Sequence, residues 1–301
     1  MTRMTSPSDL VAKAPYGRVE QISPRIRRVL ACNPSPFTYT GTGTYIIGTG
    51  QVAVIDPGPD DPAHIAALDD ALAGETLTHI LITHNHRDHS PAARHLAQSP
   101  HAQLVGCAVV QLEDDGPRAD AAFDMDYAPA RVLADGDSIS GPDWTLEAVT
   151  TPGHTSNHIC YALREEKALF TGDHIMGWST SVVSPPDGDM ADYMASLKKL
   201  ITRDDLIYYP THGDPVQDPQ RLARGMLAHR KQREAQIIRL LGEEGPMHIP
   251  AMVRVMYAMV NKALHGPAGR SVLAHLIDMQ ARGLVRAIDH EHWQLVPQEE
   301  R

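Results

Sequence analysis

The sequence predicts a mixed α+β unit followed by a small tail of helices and a hairpin, and three observations carry that reading. Short apolar, β-branched runs interleave with helical stretches over most of the chain; a long helical stretch begins near Pro219; and strand-like runs return around a polar turn after Gly283. At 301 residues with 42% hydrophobic side chains, the chain exceeds one typical domain and can bury a sizeable core. Two units are expected, residues 1–218 and 219–301.

Strands are expected near 43–48, 51–55 and 78–82, with helices near 62–73 and 90–98, the second where Ser90-Pro91 leads into Ala-rich sequence. More strands follow near 144–150, 157–163, 167–171 and 206–209, with an amphipathic helix near 190–202. These elements interleave without a strict repeat, so periodicity alone does not assign them to sheets. Beyond them a helix runs from about Pro219 through Leu241 and stops at Gly242 and Gly245-Pro246. Helices near 249–262 and 267–281 follow, and the runs 284–288 and 293–296 flank Asp289-His290-Glu291-His292 as a hairpin. Three helices and a hairpin make a winged helix-turn-helix shape.

Residues 83–90 read Thr-His-Asn-His-Arg-Asp-His-Ser, placing His84, His86, Asp88 and His89 within six positions on a strand-to-helix turn. Alternation sends His84 and His86 to one side, and it sets adjacent Asp88 and His89 apart, which suggests two neighbouring ions. With 17 histidines in the chain, a loop merely facing solvent is the simpler reading of one such cluster. Three later segments decide against it. Thr151-Pro152-Gly153-His154, Thr171-Gly172-Asp173-His174 and Pro210-Thr211-His212-Gly213 each end an apolar run with a glycine-containing turn that delivers a His or Asp at a strand tip. With His154, Asp173 and His212 the chain offers seven imidazole and carboxylate ligands, enough for two ions with positions left for water and substrate.

The run His84, His86, Asp88, His89 resembles the HxHxDH motif of the metallo-β-lactamase superfamily. Asp56-Pro57-Gly58, after Val52-Ala53-Val54-Ile55, resembles that superfamily's early acidic turn, and His154, Asp173 and His212 resemble its later motifs. Residues 33–38 leading to 43–48, residues 172–177 and 193–197, and His229-Arg230 before Arg233-Glu234 are further similar to the β-lactamase-like protein 2 group over nearly the whole chain. The resemblance implies an αββα sandwich with a C-terminal winged-helix-like domain. It also implies that His84, His86 and His154 hold one metal and Asp88, His89 and His212 another, with Asp173 bridging. Two divalent ions are expected, Zn2+ first, with Fe and Mn also suited to these donors. There are two departures: Thr211 stands where a Gly commonly precedes the last histidine, and residues 111–130 carry an acidic segment without a counterpart.

Two cations about 3.5–4 Å apart share a water, lower its pKa and stabilise charge developing on a substrate oxygen. Hydrolysis by a metal-held hydroxide is therefore expected, with Asp88 as the catalytic carboxylate that orients it. His174 is a candidate substrate contact or a residue behind the ligands, and Tyr193 reads as a core aromatic. An ester, thioester, lactam or phosphodiester suits such a centre, so small molecules and nucleic acids both stay open as substrates. Similarity to the β-lactamase-like protein 2 group points to single-stranded RNA cleavage for some relatives, yet 3 Phe, 3 Trp and 9 Tyr supply no extended stacking track. A metal-stabilised nucleic-acid-binding regulator is the other class carried forward.

Charge bears on the tail. Residues 221–301 hold 12 Lys and Arg against 8 Asp and Glu, a net of +4, which leaves −14 for residues 1–220 of the whole-chain −10. The third tail helix offers only Arg270 and His275 early on, too few cations for a major-groove reader, so sequence-specific DNA binding is not expected. Packing against the main unit, as one rim of its cleft, or pairing of two copies into a homodimer is expected instead. Cys32, Cys107 and Cys160 show no paired spacing and read as buried thiols of a reducing compartment. No apolar run approaches about 18 residues and no basic-then-apolar leader opens the chain, so a cytoplasmic protein without membrane contact is expected.

Overall fold

Two mixed sheets lie face to face in the computed structural model, which describes residues 11–110, 112, 122–289 and 292–297. Residues 111 and 113–121 of the acidic segment, and His290 and Glu291 at the expected hairpin tip, lie outside the described residues. The first sheet takes β1 (Val19–Gln21), β2 (Ile26–Leu30), β3 (Gly43–Ile47), β4 (Gln51–Ile55), β5 (Thr76–Ile82), β6 (Gln103–Gly106) and β7 (Arg131–Val132) in that order. Pairing is antiparallel from β1 to β4 and parallel from β4 to β7. The second sheet comprises β8 (Ser138–Ser140), β9 (Thr145–Thr150), β10 (Ile159–Leu163), β11 (Ala168–Gly172) and β12 (Ile207–Pro210), in reverse chain order with only β11 and β12 parallel.

Helices α1 (Pro62–Ala71) and α2 (Ala93–Leu96) contribute Leu68 and Leu96 to the first sheet's core, and α3 (Met190–Ile201) with the start of α4 (Pro219–Glu244) covers the second sheet. Alternation explains why β10 and β11 read as unbroken apolar runs. Tyr161, Leu163, Ala168 and Phe170 enter the core between the sheets, while Cys160, Ala162 and Leu169 pack with Tyr193, Leu197 and Met226 of the helices. The layers therefore run helix, sheet, sheet, helix, the αββα order expected. Asp61, Asp189 and Asp218 cap α1, α3 and α4 by accepting from backbone N–H groups, and Pro62 and Pro219 open their helices where no N–H is needed.

The tail closes a core of its own. α5 (Ile249–Met256) and α6 (His265–Ala281) pack with the end of α4 and with a sheet ordered β13 (Met247–His248), β15 (His292–Leu295), β14 (Val285–Ala287), around Ile237, Leu241, Val253, Val272 and Trp293. α4 belongs to both cores, because Ala223 and Met226 face the sandwich and Ile237, Leu240 and Leu241 face the tail. Ala274 of α6 joins the sandwich cluster, so the tail packs on the main unit as expected.

Three local expectations need correction. The helix over 90–98 contracts to α2, because Ala93, Arg94 and His95 donate to the third residue back and Ala92 N–H donates to Gly58 of a neighbouring loop. The helix over 249–262 ends at Met256, after which Val260 turns back onto Tyr257 and Asn261 caps a short turn at Lys262–Leu264. Cys32 is exposed, just past the buried pair Leu30 and Ala31 at the end of β2, whereas Cys107 and Cys160 are buried.

Candidate metal centre

Five strand ends converge at one edge of the sandwich: Asp56 follows β4, Thr83 to His89 follow β5, His154 follows β9, Asp173 follows β11 and His212 follows β12. Buried tyrosines join the sheets there, with Tyr161 Oη donating to Ile82 O at 2.7 Å and Tyr45 Oη to Pro210 O at 2.7 Å. Two turn glycines are sterically required. At Gly153, with φ +136°, a Cβ would lie 2.3 Å from the Tyr193 backbone, and at Gly172, with φ +50°, it would meet His158 and Thr83 within 2.9 Å.

The ligand-type atoms form three overlapping groups, each within 4.8 Å: His84, His86 and His154; His84, His89 and Asp173; and Asp88, His89 and His212. All seven residues expected from the sequence as ligands are thus neighbours. Asp173 reaches both sides, its Oδ2 lying 3.8 Å from His154 Nε2 and its Oδ1 3.5 Å from His89 Nε2 and 3.4 Å from His212 Nε2. The divergence expected of Asp88 and His89 does not occur, since Asp88 Oδ2 lies 3.7 Å from His89 Nε2. Alternation fails because the chain is no longer extended there: the N–H groups of His89 and Ser90 both turn back to His86 O.

The outward nitrogen of four rings is engaged. His154 Nδ1 donates to Val182 O at 2.7 Å, His212 Nδ1 to Gly41 O at 3.1 Å and His89 Nδ1 to Asp56 Oδ2 at 2.8 Å. Thr83 Oγ1 gives its hydrogen to Asp56 Oδ2 and so must accept from His84 Nδ1, leaving the lone pair of His84 Nε2 facing inward, 2.9 Å from His86 Nδ1. The inner edge is different. Asp88 Oδ1, Asp173 Oδ1, His89 Nε2 and His212 Nε2 are buried without a hydrogen-bond partner among the described residues. Burying such atoms unmet is costly, and imidazoles oriented by outer bonds around a carboxylate-containing void fit divalent cations.

Electrostatics point the same way. Burial and the neighbouring imidazoles hold His84 well below the ordinary histidine range and bring His86 to about 3, so both offer lone pairs. Burial alone would lower His89, but the carboxylates of Asp88, Asp173 and Asp56 outweigh it and hold the ring well above its ordinary value. Burial would raise Asp88, yet His89 and His212 bring it to about 2. The centre holds carboxylates that attract positive charge, supplied by a proton or a cation.

His174 is placed elsewhere. It is fully buried, packs 4.9 Å from the Tyr193 ring and is not among the described residues that line the cavity over His86, Asp88, His154 and Asp173, so its burial lends no support to a substrate contact. Tyr193 is fully buried core, as read from sequence. Two residues gain roles that sequence reasoning missed. Asp56 accepts from Thr83 N, Thr83 Oγ1, His89 Nδ1 and Thr211 Oγ1, so the Thr that departs from the commoner Gly supplies one of its four donors. His158 donates to Thr151, accepts from Asp173 N–H at 3.2 Å and stacks 5.2 Å from His84. The available signal was its place at the tip of the strand expected over 157–163.

Comparison with known proteins agrees with this geometry. Residues 40–212 match the metallo-beta-lactamase superfamily and residues 249–293 the beta-lactamase associated winged helix domain. The chain belongs to the metallo-β-lactamase superfamily, as a hydrolase of that fold with a winged-helix domain behind it. It is 31% identical to a beta-lactamase-like protein 2 homolog of Drosophila melanogaster over 89% of this chain and 92% of that one. It is 34% identical to an atrochrysone carboxyl ACP thioesterase of Claviceps purpurea over 74% of this chain, spanning 67% of the fungal protein's length. A beta-lactamase domain protein from Burkholderia ambifaria shares the fold, with TM-score 0.76 at 20% identity and 94% of each chain covered.

Proposed function

We propose that the protein is a dinuclear metal-dependent hydrolase of small acyl substrates, an ester or thioester before a lactam. The observation that carries this is a cavity of about 190 Å3 directly over His86, Asp88, His154 and Asp173, walled by Phe37, Met176 and Val182. No Lys or Arg lines it among the described residues, and the adjoining space over His86 and His154 is lined by Arg270 together with Asp187, so the site suits an uncharged acyl group better than a phosphodiester backbone. The thioesterase among the similar proteins supports the same substrate class.

In this reading His84, His86 and His154 hold one cation, Asp88, His89 and His212 the other, and Asp173 both, with zinc favoured over iron or manganese for imidazole-rich donors. Bound there, two cations supply Lewis acidity and lower the pKa of water toward neutrality. The chain's own residues do the rest. Asp88 stays a carboxylate across the neutral range, and its free Oδ1 takes the hydrogen bond of the attacking water. Phe37, Met176 and Val182 keep bulk water from the acyl carbon, and Asp56, Gly41 and Val182 hold the imidazoles in place. Hydrolysis breaks the bond from acyl carbon to leaving group, forms a carbon–oxygen bond, and returns one water proton to the leaving group.

We divide the chain into a hydrolase domain at 1–218 and a winged-helix-like domain at 219–301, with α4 serving both cores. Among the described residues no helix is long and apolar enough to cross a membrane. The free thiols, two of them pushed by burial up to about 12, agree with a reducing cytoplasm. The test is a zinc-reconstituted panel of acyl thioesters, aryl esters, lactams, a phosphodiester and single-stranded RNA. Thioester or ester turnover that disappears in Asp88→Ala is expected; cleavage of RNA alone, or full turnover in that variant, overturns the reading.

A further inference from the structure

The loop after Asp173 is gripped from behind by two arginines that lie beyond residue 219 in sequence. Ser181 Oγ sits 2.6 Å from Asp173 O and 2.7 Å from His174 O, its single hydrogen shared between the carbonyls of a ligand and its neighbour. Val182 O accepts from His154 Nδ1, so two consecutive loop residues orient two ligand residues. Arg230 of α4 donates from Nη2 to Ser181 O at 2.5 Å and from Nη1 to Ser271 Oγ of α6 at 3.4 Å. Its guanidinium lies 5.0 Å over the Tyr193 ring, whose hydroxyl donates to His174 O at 3.2 Å. Three residues along the same loop, Arg270 of α6 donates to Ser184 Oγ at 3.2 Å and to Pro185 O.

Arg230 is only 3% exposed, and among the described residues it forms no ion pair. A buried guanidinium held by a carbonyl, a hydroxyl and a ring face is an expensive way to fill space, and an apolar side chain would pack as well. What an apolar side chain would not do is hold the Ser181 carbonyl. The Ser181–Val182 pair would then be free to shift, and Asp173 and His154 with it.

We propose that Arg230 and Arg270 are positioning residues for the metal centre: they lock the loop at 181–185 and, through Ser181 and Val182, set the placement of Asp173 and His154. The C-terminal domain thereby tunes cation affinity at a site to which, among its described residues, it contributes no ligand. This rests on the proposed metal centre and is independent of the substrate.

The experiment uses the full chain, stripped of metal, titrated with Zn2+ against a chromophoric chelator and separately loaded with Co2+ for its visible ligand-field spectrum. Arg230→Met and Ser181→Ala are expected to weaken binding of at least one ion by about 10–100-fold and to alter the cobalt spectrum, the range seen when outer partners of metal ligands are removed. Arg230→Lys, which restores a donor toward Ser181 O, recovers most of the affinity, and Arg270→Gln produces a smaller loss. If Arg230→Met lowers the thermal midpoint of the metal-free protein but keeps wild-type zinc affinity and cobalt spectrum, the residue is structural and the inference is overturned. Should that variant not fold, Ser181→Ala decides, because it leaves Arg230 and the backbone in place; wild-type affinity there sinks the inference. A wild-type chain that binds neither ion removes the metal centre itself, a separate and recognisable result.

Discussion

Histidines are buried in two regions of this molecule for different physical reasons. At the strand ends His84, His89, His154 and His212 each have one ring nitrogen engaged by Thr83, Asp56, Val182 or Gly41, and the other faces the remaining ligands. Behind them and in the tail, His174 and His275 are as fully buried, but neither nitrogen of either ring has a hydrogen-bond partner among the described residues. Burial first, with nearby positive groups, takes both rings down to about 3, so they behave as neutral packing groups. Burial therefore does not mark a ligand. At those four rings an outer bond aims the inner lone pair toward the other His and Asp side chains of the cluster, a bond that His174 and His275 lack among the described residues.

The contrast breaks most visibly at Asp88, which belongs to the aimed set. Asp88→Ala should lower kcat/KM of the metal-loaded enzyme by about 10²–10⁴-fold, and turnover within tenfold of wild type would remove the carboxylate from the mechanism. Asp56 tests the aiming directly. Asp56→Ala leaves His89, Thr83 and Thr211 without their acceptor and should cost about 3 kcal/mol of stability in the metal-free protein, read by urea unfolding, and roughly 10–100-fold in zinc affinity. Unchanged affinity would mean that outer bonds do not distinguish ligands here.

His275→Leu probes the packing set. The folded ring titrates near 3 and the unfolded one near 6.5, so between those values the unfolded chain binds a proton that the fold does not; stability is present above pH 6.5 and lost as pH falls toward 3. The leucine variant should match wild type within about 1 kcal/mol at pH 7.5 and exceed it by roughly 2 kcal/mol at pH 4.5, measured by urea midpoints of the metal-free chains. An equal difference at both values would show that the ring is not kept neutral by burial. The smallest effect is expected of Thr211→Gly, which removes one bond to Asp56: about 1 kcal/mol of stability, with zinc stoichiometry intact by elemental analysis.

Much of the site is legible in the sequence, because its His and Asp residues follow apolar strand runs and accompany turns that glycine or proline makes necessary. The strand tips near 82, 150, 171 and 209 all deliver as read. His158 was not legible, since its value lies in reaching Thr151 and the Asp173 backbone, partners at separations that no local pattern reports. Asp56 was visible only as an acidic turn, its four donors being scattered from Thr83 to Thr211. The strands β1, β2, β6 to β8 and β13 are not legible in the sequence because they are short or carry charge: Arg27 and Arg28 in β2 pair with Glu75 and Glu20 while Ile26 and Val29 fill the core.

The amino-acid sequence by itself determined which His and Asp side chains stand at the strand tips, where helices begin at Asp-Pro caps, and that a winged tail follows, since all of these depend on residues within a turn or two of one another. Only the tertiary structure decided how the turn at His86 brings Asp88 and His89 together, that Tyr45 and Tyr161 pin the turns of the site across the sandwich, and that Arg230 reaches back to Ser181. These contacts join residues 49 to 165 positions apart, save for the local turn at His86, and the sandwich's packing supplies the free energy that holds them.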